Sequence, residues 1–314
     1  MKSVNYKSGE VNLKSKIISK TLLWDLSLLL VAIIWGGGFV ITKNALAVIT
    51  PLYFLAIRFM IAGVIMAIIF YPKLRKASWQ DIRNSCIIGV FLSLGFITQT
   101  FGANFTTPAK SSFITGLNVV LVPFIMILFT KKFPGRKAVI MAIVAFFGLS
   151  LISVNDQMII GVGDFLTFLC AIFYACHIVS IGYFANKTDP IVLATIQVLF
   201  AGVICSILAI PLEPIPVLSG ISIWSGILYS AILSTFAAFL IQNLAQRNTP
   251  STHVAIILCL ESVFGALASV LFWNEVMTLK MIIGCLLIFA AIIIDEVDFK
   301  ALFGRTNQTV DKQG

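Results

Sequence analysis

Residues 51–71 read PLYFLAIRFMIAGVIMAIIFY and residues 190–210 read PIVLATIQVLFAGVICSILAI. Each opens on a proline, and each is apolar almost throughout. Each also carries Ala-Gly-Val-Ile at the same place, as Ala62-Gly63-Val64-Ile65 and as Ala201-Gly202-Val203-Ile204. A hydrocarbon core about 30 Å thick is crossed by roughly 20 helical residues, so each stretch has the length of a membrane span. Proline is at home at the first position of a helix, where its missing N–H costs nothing. The two stretches stand 139 residues apart without a gap, which makes them counterparts in an internal repeat.

The same offset relates Ala32-Ile33 to Ala171-Ile172, and Thr107-Pro108 recurs as Thr249-Pro250 at an offset of 142. Ten segments have the length and apolarity of spans: 22–42, 52–71, 84–101, 110–130, 137–154, 164–184, 190–210, 223–245, 251–273 and 280–297. The expected fold is an all-α membrane protein of ten transmembrane helices, arranged as two inverted five-helix repeats. The first repeat covers 22–154 and the second 160–297, with polar tails at 1–21 and 298–314. An odd number of spans in each half sends the second half into the membrane from the opposite face. Such inverted repeats, related by a pseudo-two-fold axis in the membrane plane, recur in carriers.

Composition excludes a water-soluble fold. Of 314 residues, 59% are hydrophobic and 11% charged, where a soluble domain carries about 25% charged residues. Mean hydropathy is +1.03. The net charge of +9 forms no nucleic-acid patch, because the basic residues fall between apolar runs. Taking the N-terminal end as side A, 18 Lys and Arg lie on that side, while Lys43, Lys110 and Lys280 lie on side B and Arg58 lies within a span. Basic residues collect on the cytoplasmic side, so both termini are expected in the cytoplasm and the protein in the plasma membrane. The first apolar run is too long for a cleavable signal and reads as a retained helix. All six cysteines fall in apolar runs and read as small buried hydrophobes.

No HExxH or GxSxG pattern occurs, and Gly36-Gly37-Gly38 is not followed by a phosphate-loop lysine. No cofactor or metal is expected, and catalysis is unsupported. An intramembrane enzyme or a lipid-related membrane assembly factor is the rival reading, and it would need a reactive cluster at one depth. A passive channel would need a continuous polar stripe, whereas the polar residues here are isolated.

The stretch Trp35-Gly36-Gly37-Gly38-Phe39, then Lys43, Pro51 and Arg58-Phe59, resembles the start of the EamA-type branch of the drug/metabolite transporter superfamily. Gln246-Arg247, Thr249-Pro250, Leu260-Glu261-Ser262-Val263-Phe264 and Glu275 resemble that branch's closing helices, with Ser262 where the family usually has proline. The resemblance covers about residues 24–295. It implies ten helices, cytoplasmic termini, a central cavity between the halves, and a secondary carrier, commonly an exporter of amino acids, other metabolites or drugs. The expected partners are a small-molecule solute, the lipid bilayer and protons, with no nucleic acid.

A charge at mid-span costs about 2.5–3.5 kcal/mol on insertion scales, so interior ionisable residues should be few and should have a reason. They are Arg58, His177 and Glu261. Glu261 lies roughly 15 Å along its helix, too deep to reach an interface. Two readings stand for it: a proton-coupling or substrate-amine site, and a neutral carboxyl bonded between helices. Arg58 either snorkels, bonds a neighbouring helix or faces a cavity, and pairing with Glu261 in one conformational state is a further hypothesis. His177 exchanges protons near neutral pH when unperturbed. Asn118, about one turn before Pro123, is a cavity candidate, since Pro123 should kink its helix and free a carbonyl. Gln99, Gln197, Gln242 and Asn243 also sit at membrane depth, where helix–helix hydrogen bonds would explain them. Trp35 and Tyr174 hold equivalent repeat positions and either pack or stack on a flat or cationic solute. In repeat register His177 aligns with Gly38, Arg58 with Gln197 and Glu261 with Val119, so the scaffold repeats while its ionisable residues do not.

Overall fold

The computed structural model describes residues 6–133, 135–153, 161–273 and 278–296, and among these every regular element is a helix. In the first half these are α1 (Tyr6–Ala45), α2 (Pro51–Ile69), the single turn α3 (Tyr71–Leu74), α4 (Trp79–Phe105), α5 (Pro108–Gly116), α6 (Asn118–Thr130) and α7 (Arg136–Ser153). In the second half they are α8 (Val162–Phe184), α9 (Pro190–Leu212), α10 (Ile221–Leu228), α11 (Ala238–Gln246), α12 (Ser251–Leu258), α13 (Leu260–Trp273) and α14 (Leu279–Glu296). A π-helical segment, Tyr229–Ala237, joins α10 to α11.

Local chemistry explains the starts. Pro51, Pro108 and Pro190 open α2, α5 and α9. Ser78 and Asp81 form a reciprocal capping box at α4. Thr107 and Asp189 accept backbone N–H groups at the starts of α5 and α9. The Glu213 carboxylate, at the end of α9, accepts from Leu52 N and Tyr53 N at 3.0–3.1 Å and so caps α2.

Eight stretches among the described residues are long and apolar enough to cross a membrane. The expected spans at 137–154 and 280–297 fall on the helices α7 and α14, each 18 residues long and neither among those eight. The two pack on each other, with Gly148 against Gly284 O, Ile288 and Leu287. Of the expected polar tail 1–21, residues from Tyr6 onward continue α1 as helix. At 1.5 Å per residue, 40 residues reach roughly 60 Å, twice the hydrocarbon thickness, so only the C-terminal part of α1 can lie in it. Glu275 and the tail 298–314 lie outside the described residues.

Contacts between helices come in matched pairs. α2 packs on α9, and α7 on α14. α1 packs along α12 and α13 as α8 packs along α5 and α6, and the π-helical segment lies on α2 as α4 lies on α9. Outward faces are apolar: on α1, Leu22, Leu26, Leu30 and Ile33 form one exposed stripe at helical spacing, suited to lipid. Gly36 lets α1 approach α13 until a methyl group there would stand 2.5 Å from Phe264 Cβ. Gly36 thus serves close contact, and the helix runs through Gly36-Gly37-Gly38 unbroken.

Pro123, where a kink was expected, does not interrupt its helix. Pro123 lies inside α6, and the interruption is at Leu117, where Val120 N donates to Leu117 O at 3.1 Å. The second half breaks at Cys259, where Ser262 N donates to Cys259 O at 3.1 Å. These positions are 142 residues apart, the offset of the Thr-Pro repeat. The second break forms without a proline, so a tightened turn in the same packing environment, and not a missing N–H, accounts for both.

Candidate functional site

One cavity, about 70 Å³ in volume, is lined by all six residues singled out above: Trp35, Arg58, Asn118, Tyr174, His177 and Glu261. At 10–15 Å³ per water it has room for roughly five or six. The first two come from α1 and α2, Asn118 from the start of α6, Tyr174 and His177 from α8, and Glu261 from the start of α13. The breaks at Leu117 and Cys259 therefore immediately precede two of the polar groups turned to the cavity.

Arg58 is 3% exposed and reaches across to the π-helical segment. Its Nε donates to Thr235 Oγ1 at 3.1 Å, and its Nη2 donates to Thr235 Oγ1 at 2.9 Å and to Ser234 Oγ at 3.3 Å. Its guanidinium carbon lies 4.7 Å from the centroid of Phe96. Hydroxyls and ring faces solvate the charge without neutralising it. Arg58 therefore does not snorkel, and it is not paired with Glu261 here. The Glu261 carboxylate, on a residue 7% exposed, makes no hydrogen bond or ion pair among the described residues. Oδ1 of Asn118, Oε1 of Gln242 and Oγ of Ser111 also line the cavity, buried and without partners. Buried polar atoms are rarely left so, and these mark where water or a solute would bond.

His177 is tied into a buried chain. Its Nε2 lies 2.7 Å from Gln197 Oε1, Gln197 Nε2 donates to Asn243 Oδ1 at 3.1 Å, and Asn243 Nδ2 donates to Phe239 O at 2.8 Å. Gln197 and Asn243 are thus helix–helix connectors, while Gln99 and Gln242 reach the cavity. Trp35 Nε1 donates to Ser234 O at 2.9 Å and Tyr174 Oη to Gln99 Oε1 at 3.0 Å. Their rings continue through Phe239 and Phe96 as an aromatic wall with centroid separations of 5.3–5.9 Å. Phe96, Phe239 and Ser234 were not legible in the sequence, since nothing distinguishes them from the other Phe and Ser of the spans. Lys43 was a resemblance residue and lines the cavity as well.

The cavity opens at side B. Thr42 and Lys43 near the end of α1 and Ala103 near the end of α4 are partly exposed lining residues. Toward side A, His177, Ile178, Gln242 and Leu258 are buried. A side-chain pair that includes an aspartate flanks each end. At side B, Lys110 Nζ lies 2.6 Å from Asp164 Oδ2, and at side A, His253 Nε2 lies 3.2 Å from Asp25 Oδ1. Asp25 and Asp164 are counterparts at the offset of 139. Among the described residues no group of three His, Cys, Asp or Glu converges as a metal would require.

Comparison with known proteins agrees with this architecture. The EamA-like transporter family matches the chain twice, over residues 22–154 and 161–294. A protein of Archaeoglobus fulgidus named an uncharacterized transporter is 34% identical over 275 residues, covering 88% of this chain and 86% of the relative. The uncharacterized transporter YvbV of Bacillus subtilis is 24% identical over 287 residues, covering 88% and 92%. One crystal structure superposes with a TM-score of 0.73 at 16% identity, covering 91% of this chain and 99% of that one, which is a likeness of fold. The chain is an integral multi-pass membrane protein and belongs to the EamA-like transporter family of the drug/metabolite transporter superfamily.

Proposed function

We propose that this protein is a secondary carrier that exports small organic solutes, amino-acid-like or drug-like, by alternating access between two inverted five-helix repeats. The termini are then cytoplasmic, α7 and α14 are the fifth and tenth spans, and the cavity faces outward in this conformation. The observation that carries the reading is a cavity between the two halves that gathers Arg58, His177 and Glu261 and opens at one end. Residues this costly to place in hydrocarbon mark solute and ion pathways. The matched contacts of the two halves support an inverted repeat, and exchanging the conformations of equivalent halves would move the opening to the other end.

Of the two titratable candidates, Glu261 suits proton coupling or contact with a solute amine better. His177 is engaged by Gln197, whereas Glu261 has no partner to give up among the described residues. Arg58 and Glu261 offer both signs of charge in one cavity, whose lining also holds Ser111, Ser234, Gln99, Asn118 and Gln242.

The test is flux in proteoliposomes, using a pool of labelled amino acids with and without a pH gradient, beside Glu261→Gln. Gradient-driven flux that disappears in the variant supports coupling or solute contact at Glu261. Undiminished gradient-driven flux in the variant removes Glu261 from the mechanism. Absence of wild-type flux for every amino acid sinks the amino-acid assignment and directs the assay to other metabolites and drugs.

A further inference from the structure

The two ends of the bundle are held by unequal contacts. At side A, α8 meets the end of α11 and the start of α12 directly. Gln246 Nε2 donates to Ile178 O at 2.8 Å and Ser251 Oγ to the same carbonyl at 3.4 Å. Gly182, one turn on, lies so close to Ser251 that a methyl group in its place would overlap Ser251 Oγ. At side B the counterpart of Gly182, 139 residues earlier, is Lys43. Lys43 Nζ donates to Ala103 O and Thr106 O at 2.5 and 3.0 Å. The end of α1 thus meets the end of α4 across the length of a lysine side chain, where α8 at Gly182 offers no side chain and only Ser251 of α12 stands between the helices. The polar chain below the seal is also one-sided: the counterparts of His177 and Gln197 are Gly38, which has no side chain, and Arg58, which turns to Ser234 and Thr235.

We propose that Lys43 is a wedge at the side-B mouth, and that the inequality between Lys43 and Gly182 sets the resting conformation of the carrier as open at side B. The inference rests on the alternating-access reading. If two equivalent halves exchanged conformations with identical contacts, the two states would have equal energy. Closing side B as side A is closed would force four methylenes and an ammonium into a contact that at side A excludes even a methyl group. It would also strip the ammonium of water. The state with side B shut is thereby the minor one, and a two-state protein with a gap of a few kcal/mol holds its minor state at roughly 0.1–10%.

The experiment uses the full chain in lipid nanodiscs, with the six native cysteines replaced and spin labels at exposed pairs across each mouth. The side-B pair is Ala47 and Asn104 and the side-A pair is Asn186 and Asn248. In the otherwise native protein the side-B pair should show mainly its longer distance and the side-A pair its shorter one. Lys43→Gly should raise the short-distance population at side B by about tenfold, a change of ~1.4 kcal/mol, and raise the long-distance population at side A in step. Lys43→Gln, which keeps most of the bulk, should raise it less. Gly182→Lys should open side A, and Lys43→Gly decides the matter if that variant does not fold. Unchanged distances in Lys43→Gly, with solute flux retained in liposomes, would overturn the wedge and leave the carrier standing. One fixed distance at each end in all variants, with no flux from the wild type, would overturn alternating access itself and the wedge with it.

Discussion

Gly63 on α2 lies directly against Leu199 on α9: a methyl group in place of its hydrogen would stand 2.8 Å from Leu199 Cδ2. The relationship is reciprocal. Gly202, the counterpart of Gly63, lies against Met60, the counterpart of Leu199, where a methyl group would stand 2.9 Å from the sulfur. Small residues let membrane helices approach and gain dispersion contacts that lipid cannot supply. Gly63→Ala should therefore destabilise the protein by about 1–3 kcal/mol through overpacking. The double variant with Leu199→Ala should recover much of that loss, measured as melting temperature in detergent. Additive losses in the pair would show that the two residues do not meet.

The bonds of Arg58 to Thr235 predict a second result. Thr235→Val removes the acceptor of two guanidinium bonds while keeping the shape of the side chain. It should cost about 1–3 kcal/mol, because a buried charge is left under-bonded, and should slow flux. Arg58→Lys should not restore function, because an ammonium cannot reproduce the fork. A Thr235→Val protein with native melting and native flux would show that Ser234 and the Phe96 ring suffice.

Glu261 predicts a separation of function from stability. Its carboxylate has no bonding partner among the described residues, so Glu261→Gln breaks no protein hydrogen bond and keeps the volume. The variant should melt within about 1 kcal/mol of the wild type, the range of a volume-conserving change, while losing gradient-driven flux. A large fall in melting temperature would return Glu261 to the alternative reading of a carboxyl bonded between helices.

Asp189, between α8 and α9, predicts a pH effect. Burial pushes its carboxyl up, but the hydrogen bonds from Lys73 Nζ at 2.6 Å and Ile191 N at 2.8 Å outweigh this and hold it below the usual carboxylate range. A carboxylate with a lowered folded pKa stabilises the fold above its unfolded value of about 3.9, and that contribution is lost as pH falls through the folded value. The pair is partly exposed, so its effect should be small and screened by salt. Asp189→Asn should melt slightly below wild type at pH 7, and the difference should close only in strong acid. A difference that closed between pH 5 and 7 would contradict the lowered value.

What the sequence alone determined follows from the cost of polar groups in hydrocarbon. Apolar runs of span length marked the helices, since crossing a bilayer takes roughly 20 mostly apolar helical residues. The gap-free offset of 139 between 51–71 and 190–210 marked the repeat. The same cost marked Arg58, His177 and Glu261 as interior residues, because charge at that depth must turn away from lipid. Tertiary packing decided the rest. It brought these residues, with Asn118, Trp35 and Tyr174, to one cavity, gave Arg58 the hydroxyls of Thr235 and Ser234 and not Glu261, and joined His177 to Gln197. It put the helix breaks at Leu117 and Cys259 and not at Pro123. It also chose Phe96 and Phe239 from 26 phenylalanines to form the wall. Burial cost depends on depth, which a chain position reports, while a partner depends on which helix faces which, and only the packed bundle fixes that.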